Sequence, residues 1–318
     1  DGTFAMVSGF AAGTALVQAP EIAALAFTGS QRGGMALWRA AAEREVVIPV
    51  YAEMGTVNPV VVTRAAAHAR AEAVASGYVG SFTLGMGQFC TKPGLLLVPA
   101  GSGLAALVGQ ALTDAAPAGW LLTDGIAAGY AQGLGELTGA GATVLAEITA
   151  PGGGGSTGST AGWAAGARAL GVPAGLIQRG SRLTEECFGP VGLVTEYADD
   201  AELAALLAAL QGTLAACVMA EPDDPQLPDL LEQLTPLAGR VAVNDWPTGV
   251  AFRWAQQHGG PWPATTVPSA TSVGAAALDR FTRPVTYQSV PDAALPPTLQ
   301  AANPWGLPRR VDGAWVSA

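Results

Sequence analysis

The sequence predicts an α/β fold, and three observations predict it. Short apolar runs of buried-strand length recur along the chain, as "IAALAFT" (22–28), "VVIPVYAEMG" (46–55), "PVVVT" (59–63) and "GLLLVP" (94–99). Stretches of helical length separate them, and Gly and Ser mark the junctions. Strand, turn, helix and strand thus follow one another within about thirty residues, the pattern of a βαβ unit with a parallel sheet under helices.

The elements read in order as follows. A short apolar piece begins at Val7, and Gly9 to Gly13 leads into a helix over 14–18. After the strand at 22–28, Gly29 and Ser30 open a helix through "RGGMALWRAAAERE". The strands at 46–55 and 59–63 precede a long Ala-rich helix over 65–79 and a loop around 85–90. The strand at 94–99 and a helix over 104–112 come next. "PGGGGSTGST" (151–160) reads as a surface loop, and "GPVGLVTEY" (189–197) as a strand. "DDAELAALLAALQG" is an amphipathic helix, capped by Asp199 or Asp200 and with Gly212 just past its end. "TLAACVMA" and "GRVAVND" are further strands, and "RPVTYQSV" (283–290) is an edge strand in a tail rich in Pro and aromatics.

Composition removes several function classes. The 318 residues are 50% hydrophobic and only 13% charged, about half the usual charged share, and mean hydropathy is +0.33. No run of about eighteen apolar residues escapes charge or Gly/Pro breakers, so no membrane-spanning helix is expected. A net charge of −10 argues against a nucleic-acid partner. Cys90, Cys187 and Cys217 have neither disulfide-framework nor zinc-motif spacing. His68 and His258 are far apart in sequence, so no metal site is expected. The chain starts at Asp1 without a basic or apolar leader pattern, which makes a cytoplasmic location the expectation.

A few residues could carry chemistry. Cys90 lies in "GMGQFCTKPG", a polar, glycine-flanked loop. Exposure and nearby amides suit a nucleophilic thiol, while a small buried cysteine is the alternative. Glu53 ends a strand-like run, where carboxylates face the ligand crevice of a parallel sheet. It could act as a general base or be a solvated turn acid. Gly29 and Ser30 sit between strand and helix, with Gly33 and Gly34 just inside the helix start, where the amides can cradle a pyrophosphate. A tight turn accounts for them equally well. Glu186 could accept from ribose hydroxyls and Phe188 could flank a flat ring, with Cys187 facing the other way. Cys217 reads as core, His68 as surface, and His258 as a loop residue open to a ligand or base role.

Five of these segments in order, "FTGSQRGG", "AEMGTVNPVVV", "GQFCTKPG", "EECFGPVG" and "VAVNDWPTG", resemble the aldehyde dehydrogenase superfamily over nearly the whole chain. The tail segments "NDWPTGV", "QHGGPWPATT", "TSVGAAALDRFTRPVTYQ" and "LPPTLQAANPWGL" look like its branch for 2-oxoglutarate semialdehyde (2,5-dioxopentanoate), with NADP-preferring fatty-aldehyde dehydrogenases near by. The resemblance implies an α/β, aldehyde dehydrogenase-like fold. Residues 1–55 would be the C-terminal part of a partial Rossmann-like cofactor domain and 56–270 a catalytic α/β domain. Residues 271–318 would return to the cofactor domain and the oligomer interface.

It also implies roles. Cys90 would attack the aldehyde to form a thiohemiacetal, then a thioester, and Glu53 would activate the hydrolytic water. Gly29, Ser30, Gly34, Met54, Glu186, Phe188, Gly9 and Gly13 would hold NAD or NADP. Phe89, Phe252 and His258 would line the aldehyde tunnel, and no metal would take part. The oxyanion asparagine of the family corresponds to a position before residue 1, so the chain matches a C-terminal portion. The expected partners are a small aldehyde and further copies of the chain in a homo-oligomer. Two readings compete. One is a fragment that folds without turning over. The other is a cysteine hydrolase, which needs His258 beside Cys90.

Overall fold

A computed structural model describes residues 3–150 and 162–316. The loop expected at 151–160 lies outside the described residues. The described elements are α1 (Phe10–Gln18), β1 (Leu25–Gly29), α2 (Gln31–Ala42), β2 (Val50–Met54), β3 (Pro59–Val62), α3 (Arg64–Thr83), β4 (Leu95–Pro99) and α4 (Leu104–Ala115). They continue with β5 (Ala118–Leu121), α5 (Asp124–Gly139), β6 (Thr143–Glu147), β7 (Trp163–Gly166), β8 (Arg168–Gly171), β9 (Val191–Tyr197), α6 (Asp200–Ala209) and β10 (Thr213–Met219). The last are α7 (Leu227–Leu234), β11 (Ala238–Val243), β12 (Arg309–Val311) and β13 (Ala314–Val316). The chain divides into two compact units, Asp1–Arg280 and Phe281–Ala318.

The first unit is built on a seven-stranded sheet in the order β11-β10-β3-β4-β9-β8-β6. All neighbours run parallel except β6, which pairs antiparallel with β8. The central strands are apolar throughout because helices cover both faces. Alternate residues supply two cores. Val61, Leu95, Leu97, Ala216 and Val218 join one, with Leu134 of α5, Leu206 of α6 and Leu230 of α7. Val60, Val62, Leu96, Val98, Cys217 and Met219 join the other, with Val74 of α3 and Val108 of α4. Cys217 is therefore core, as its apolar strand predicts.

A smaller parallel pair, β1 and β2, stands beside this sheet in the same unit, with Glu53 in register with Thr28 and Met54 with Gly29. Its core is Val17, Ala41, Ile48, Val50, Ala52 and Met54. Ser30 caps α2 by accepting a hydrogen bond from the Gly33 amide at 3.2 Å. In the same way Asp199, not Asp200, caps α6 through the Glu202 amide at 2.9 Å. The second unit carries the β12–β13 hairpin, whose Asp312 and Gly313 both have positive φ (51° and 84°), as a two-residue turn between twisted strands requires.

Four expectations need correction. Residues 283–290 form no strand; Pro284 has no N–H to give a ladder. The helix expected over 65–79 runs on to Thr83, and the strand expected over 46–55 is only Val50–Met54. The region 116–150, left without elements by the sequence reading, holds β5, α5 and β6. Gly125, Gly129, Gly133, Gly135 and Gly139 mask α5, because glycine lowers intrinsic helix preference. Packing restores the helix, with Leu134 and Leu137 buried in the first core. Gly133 lies so close to Cys187 that a Cβ would sit 2.6 Å from its sulfur.

Candidate active site

Glu53 is the penultimate residue of β2, and the chain returns alongside that strand at 264–266. The Met54 amide donates to the Ala264 carbonyl at 2.8 Å, and the Thr266 amide donates to Ala52 at 3.1 Å. The Thr266 hydroxyl accepts from the Ala52 amide and donates to the Val50 carbonyl. This clamp carries His258 and Ser272 on either side of it, and both reach Glu53. His258 Nε2 lies 3.1 Å from Glu53 Oε1, and the Ser272 hydroxyl donates to Oε2. The imidazole is oriented by its own backbone: the His258 amide donates to Thr271 Oγ1 at 2.9 Å, and its carbonyl accepts from the Ser272 amide.

Cys90 arrives from the opposite side, on the loop between α3 and β4. Gly85, Met86 and Gly87 all take left-handed backbone (φ 56°, 58° and 67°). At Gly87 glycine is needed twice over, since a Cβ would fall 2.1 Å from the Gly189 carbonyl oxygen. Met86 holds the same conformation with a side chain, a strained position of the kind that clusters at functional sites. Cys90 Sγ comes within 3.8 Å of His258 Nε2. The ligand atoms of Glu53, Cys90 and His258 all lie within 4.8 Å of one another. Glu53 and His258 are buried, Cys90 half-buried.

The charges follow from these contacts. Burial raises the Glu53 carboxyl, but its contacts with His258 and Ser272 outweigh it and hold the group below its ordinary value. Burial pushes the Cys90 thiol up to about 12, helped by the negative charges of Glu53 and Glu186, while its own backbone N–H pulls the other way. A thiol so placed needs a neighbouring base before it can attack.

The loop under Cys90 is braced by residues whose roles the sequence reading did not assign. Asn58 Nδ2 donates to the carbonyls of Cys90 (2.8 Å) and Lys92 (3.0 Å). Its Oδ1 accepts from Thr213 and the Ala215 amide. Lys92, buried, donates to the carbonyls of Cys187, Gly189 and Val191 at 2.7, 3.1 and 2.9 Å. It thereby ties the Cys90 loop to the segment bearing Glu186. The only signal for either was a polar residue flanking an apolar strand.

The cofactor candidates divide. Gly9, Gly13, Gly29 and Ser30 line one cleft of about 730 Å³, together with Phe27 and Leu37. Gly34 is not among its lining residues. Gly34 instead lets α2 press on β2, since a Cβ there would meet Met54 Sδ at 2.7 Å. Met54 is buried with its amide committed to Ala264. Glu186 packs on the backbone at Gly55, where a Cβ would strike its carboxylate at 1.8 Å. Burial pushes its carboxyl up to about 7, against the pull of Lys92 and Arg182. Phe188 is half-buried just before β9. Phe89 is partly exposed beside Cys90. Phe252 is 83% exposed and lines a shallow cleft with Ser272, not the cluster itself. Asn58 and Asn244 are both engaged elsewhere, and neither is offered to the sulfur. The sequence spacing argued against a metal site, yet the fold gathers three residues able to ligate one. Among the described residues no helix is long and apolar enough to cross a membrane.

Comparison with known proteins adds the following. Residues 1–116 match the model of the aldehyde dehydrogenase family. The chain is 45% identical over 314 residues to alpha-ketoglutaric semialdehyde dehydrogenase 2 of Azospirillum brasilense, covering 95% of this chain and 57% of that protein. It is 40% identical over 317 residues to alpha-ketoglutaric semialdehyde dehydrogenase of Acinetobacter baylyi, covering 98% and 59%. The chain thus spans rather more than half the length of these relatives. A solved variant of aldehyde dehydrogenase C from Pseudomonas syringae, complexed with NAD+ and octanal, superposes with a TM-score of 0.67. At 19% identity, over 85% of this chain and 53% of that one, it is a likeness of fold.

Proposed function

We propose that this chain, whose residues 1–116 match the aldehyde dehydrogenase family, oxidises an aldehyde to a carboxylate with NAD or NADP. The substrate we assign is 2,5-dioxopentanoate, giving 2-oxoglutarate, after the names of its relatives. One observation carries the reading. Cys90, His258 and Glu53 converge at the C-terminal end of a parallel strand whose neighbour, through Gly29, opens a glycine-lined cleft.

The cleft fits a dinucleotide. Its volume is in the range of small-molecule sites, and Gly29 and Ser30 bring it to the amides at the start of α2, which favour anionic groups. Gly9, Gly13, Gly29 and Ser30 would hold the nucleotide there, and Glu186 a ribose. Among the described residues no Lys or Arg lines the cleft, so nothing there selects for the 2′-phosphate of NADP.

The chain's own residues then act in order. Cys90 Sγ–H passes its proton to His258 Nε2, and the sulfur bonds to the aldehyde carbon as the carbonyl π pair moves to oxygen. The Cys90 amide, which already faces its sulfur, steadies that oxygen. NAD(P)+, when bound, supplies the two-electron acceptor that converts the adduct to a thioester. Glu53 next takes a proton from water, and the hydroxide displaces Cys90. The proton on His258 returns to the sulfur.

The same trio favours a second reading, a cysteine hydrolase, because His258 stands 3.8 Å from Cys90. The test separates the two. Purified chain supplied with 2,5-dioxopentanoate should reduce NAD+ or NADP+, and Cys90→Ala should fall to background. Normal turnover by that variant rejects the nucleophile. Ester cleavage without any nucleotide binding favours the hydrolase, and neither activity favours a non-catalytic fragment. A cytoplasmic location and a homo-oligomer complete the proposal, checked by cell fractionation and light scattering.

A further inference from the structure

The geometry points to a second use of the same three side chains: we propose that Glu53, Cys90 and His258 form a site for a thiophilic divalent cation, Zn²⁺, whose binding shuts off chemistry at Cys90. The site stands on the coordinates and the donor types, independently of the dehydrogenase reading. One thiolate, one imidazole nitrogen and one carboxylate oxygen are the donors that tetrahedral zinc takes, with a water in the fourth position. Zinc–ligand lengths of about 2.0–2.3 Å place tetrahedral donors about 3.3–3.6 Å apart. Here Sγ to Nε2 is 3.8 Å and Nε2 to Oε1 is 3.1 Å. Shifts of a few tenths of an ångström bring both pairs to those spacings, and the sulfur and the carboxylate lie within 4.8 Å of each other.

The surroundings sort the site from a permanent structural one. Ser272 holds Glu53 by Oε2 and leaves Oε1 facing His258, the outer support that orients a ligating carboxylate. His258 Nδ1 is buried and has no hydrogen-bond partner among the described residues. A ligand histidine of a resident metal is normally anchored through that second nitrogen. The missing anchor makes this a reversible site. Half-exposed Cys90 gives the ion a way in. Binding exchanges the thiol proton for the metal: the S–H bond breaks, an S–Zn bond forms and the proton leaves to solvent. The thiolate and Glu53 together then neutralise the ion, and neither the nucleophile nor the base remains free.

Titration of the full chain with CoCl₂ is expected to give one ion per chain and a thiolate-to-cobalt charge-transfer absorption. Cys90→Ala should abolish the absorption, and His258→Gln should weaken binding by more than about a hundredfold, beyond the loss typical of outer-shell changes. ZnCl₂ should also protect Cys90 from iodoacetamide in the unaltered chain, read by mass spectrometry with Cys187 and Cys217 as internal references. This second measurement stands even where a variant does not fold. A charge-transfer band that survives Cys90→Ala, or alkylation of Cys90 at an unchanged rate under saturating zinc, overturns the site. Loss of dehydrogenase activity with cobalt binding intact would instead count against the proposed function alone.

Discussion

Two buried polar clusters lie on either side of the Cys90 loop, and they are built to opposite rules. At Lys92 every donor is met: three backbone carbonyls surround the ammonium, and Asn58 holds the carbonyl of the same residue. At Cys90 the groups are left short. Among the described residues His258 Nδ1 lacks a partner, the sulfur is 3.8 Å from the nearest ring nitrogen, and its thiol is driven up to about 12. A saturated polar cluster holds structure, since each hydrogen bond that it would lose costs stability. An unsaturated one keeps capacity for an incoming atom. The difference separates positioning from chemistry in a site where both are buried.

That contrast can be broken by experiment. The largest effect is expected at Glu53. Glu53→Gln should slow turnover about 10²–10⁴-fold, as loss of a general base does, and yet quicken alkylation of Cys90 by iodoacetamide. Removing a negative charge lowers the thiol, with about tenfold more thiolate for each unit it falls. Slower alkylation in this variant would mean that Glu53 helps to form the thiolate. Lys92→Met comes next. It strands three carbonyls, and the stability to urea should drop by about 3 kcal/mol or more. A variant that keeps its stability but loses turnover would place Lys92 in the chemistry and undo the contrast.

Asn58→Ala should follow with about 1–3 kcal/mol, since its amide joins the Cys90 loop to Thr213 and Ala215. The KM for the aldehyde should move less than kcat, because this amide is committed to the Cys90 and Lys92 carbonyls and to Thr213 and Ala215. The smallest effect lies in acid. The Glu53 carboxyl is lower when folded than when unfolded. Its contribution is therefore complete above the ordinary carboxylate value and is lost as the pH falls through the folded one. Thermal melting across that range should have a shallower acid limb in Glu53→Gln, and an unchanged limb would contradict the direction assigned.

Much of this was legible along the chain, for local reasons. "PVVV", "LLLV" and "TLAACVM" read as buried parallel strands because both faces of such strands are apolar, and β3, β4 and β10 are those segments. Glu53 and Cys90 stood out as polar groups at strand ends and in a glycine loop. Lys92 and Asn58 did not, because a buried charge looks like a surface one until its carbonyl partners are known. Nor did α5, whose glycines hid a helix that Leu134 and Leu137 hold by packing.

The sequence by itself determined the alternation of strands and helices, the apolar content of the central sheet, and the residue types available for attack and proton transfer. Those properties follow from periodicity and side-chain chemistry, which act over a few residues. Only the tertiary structure decided that Glu53, Cys90 and His258 meet, the last two 168 positions apart in the chain. That meeting depends on residues 264–266 lying along β2 and on Asn58 and Lys92 fixing the Cys90 loop. Such long-range pairings are set by the packing of whole sheets, and no local pattern encodes them.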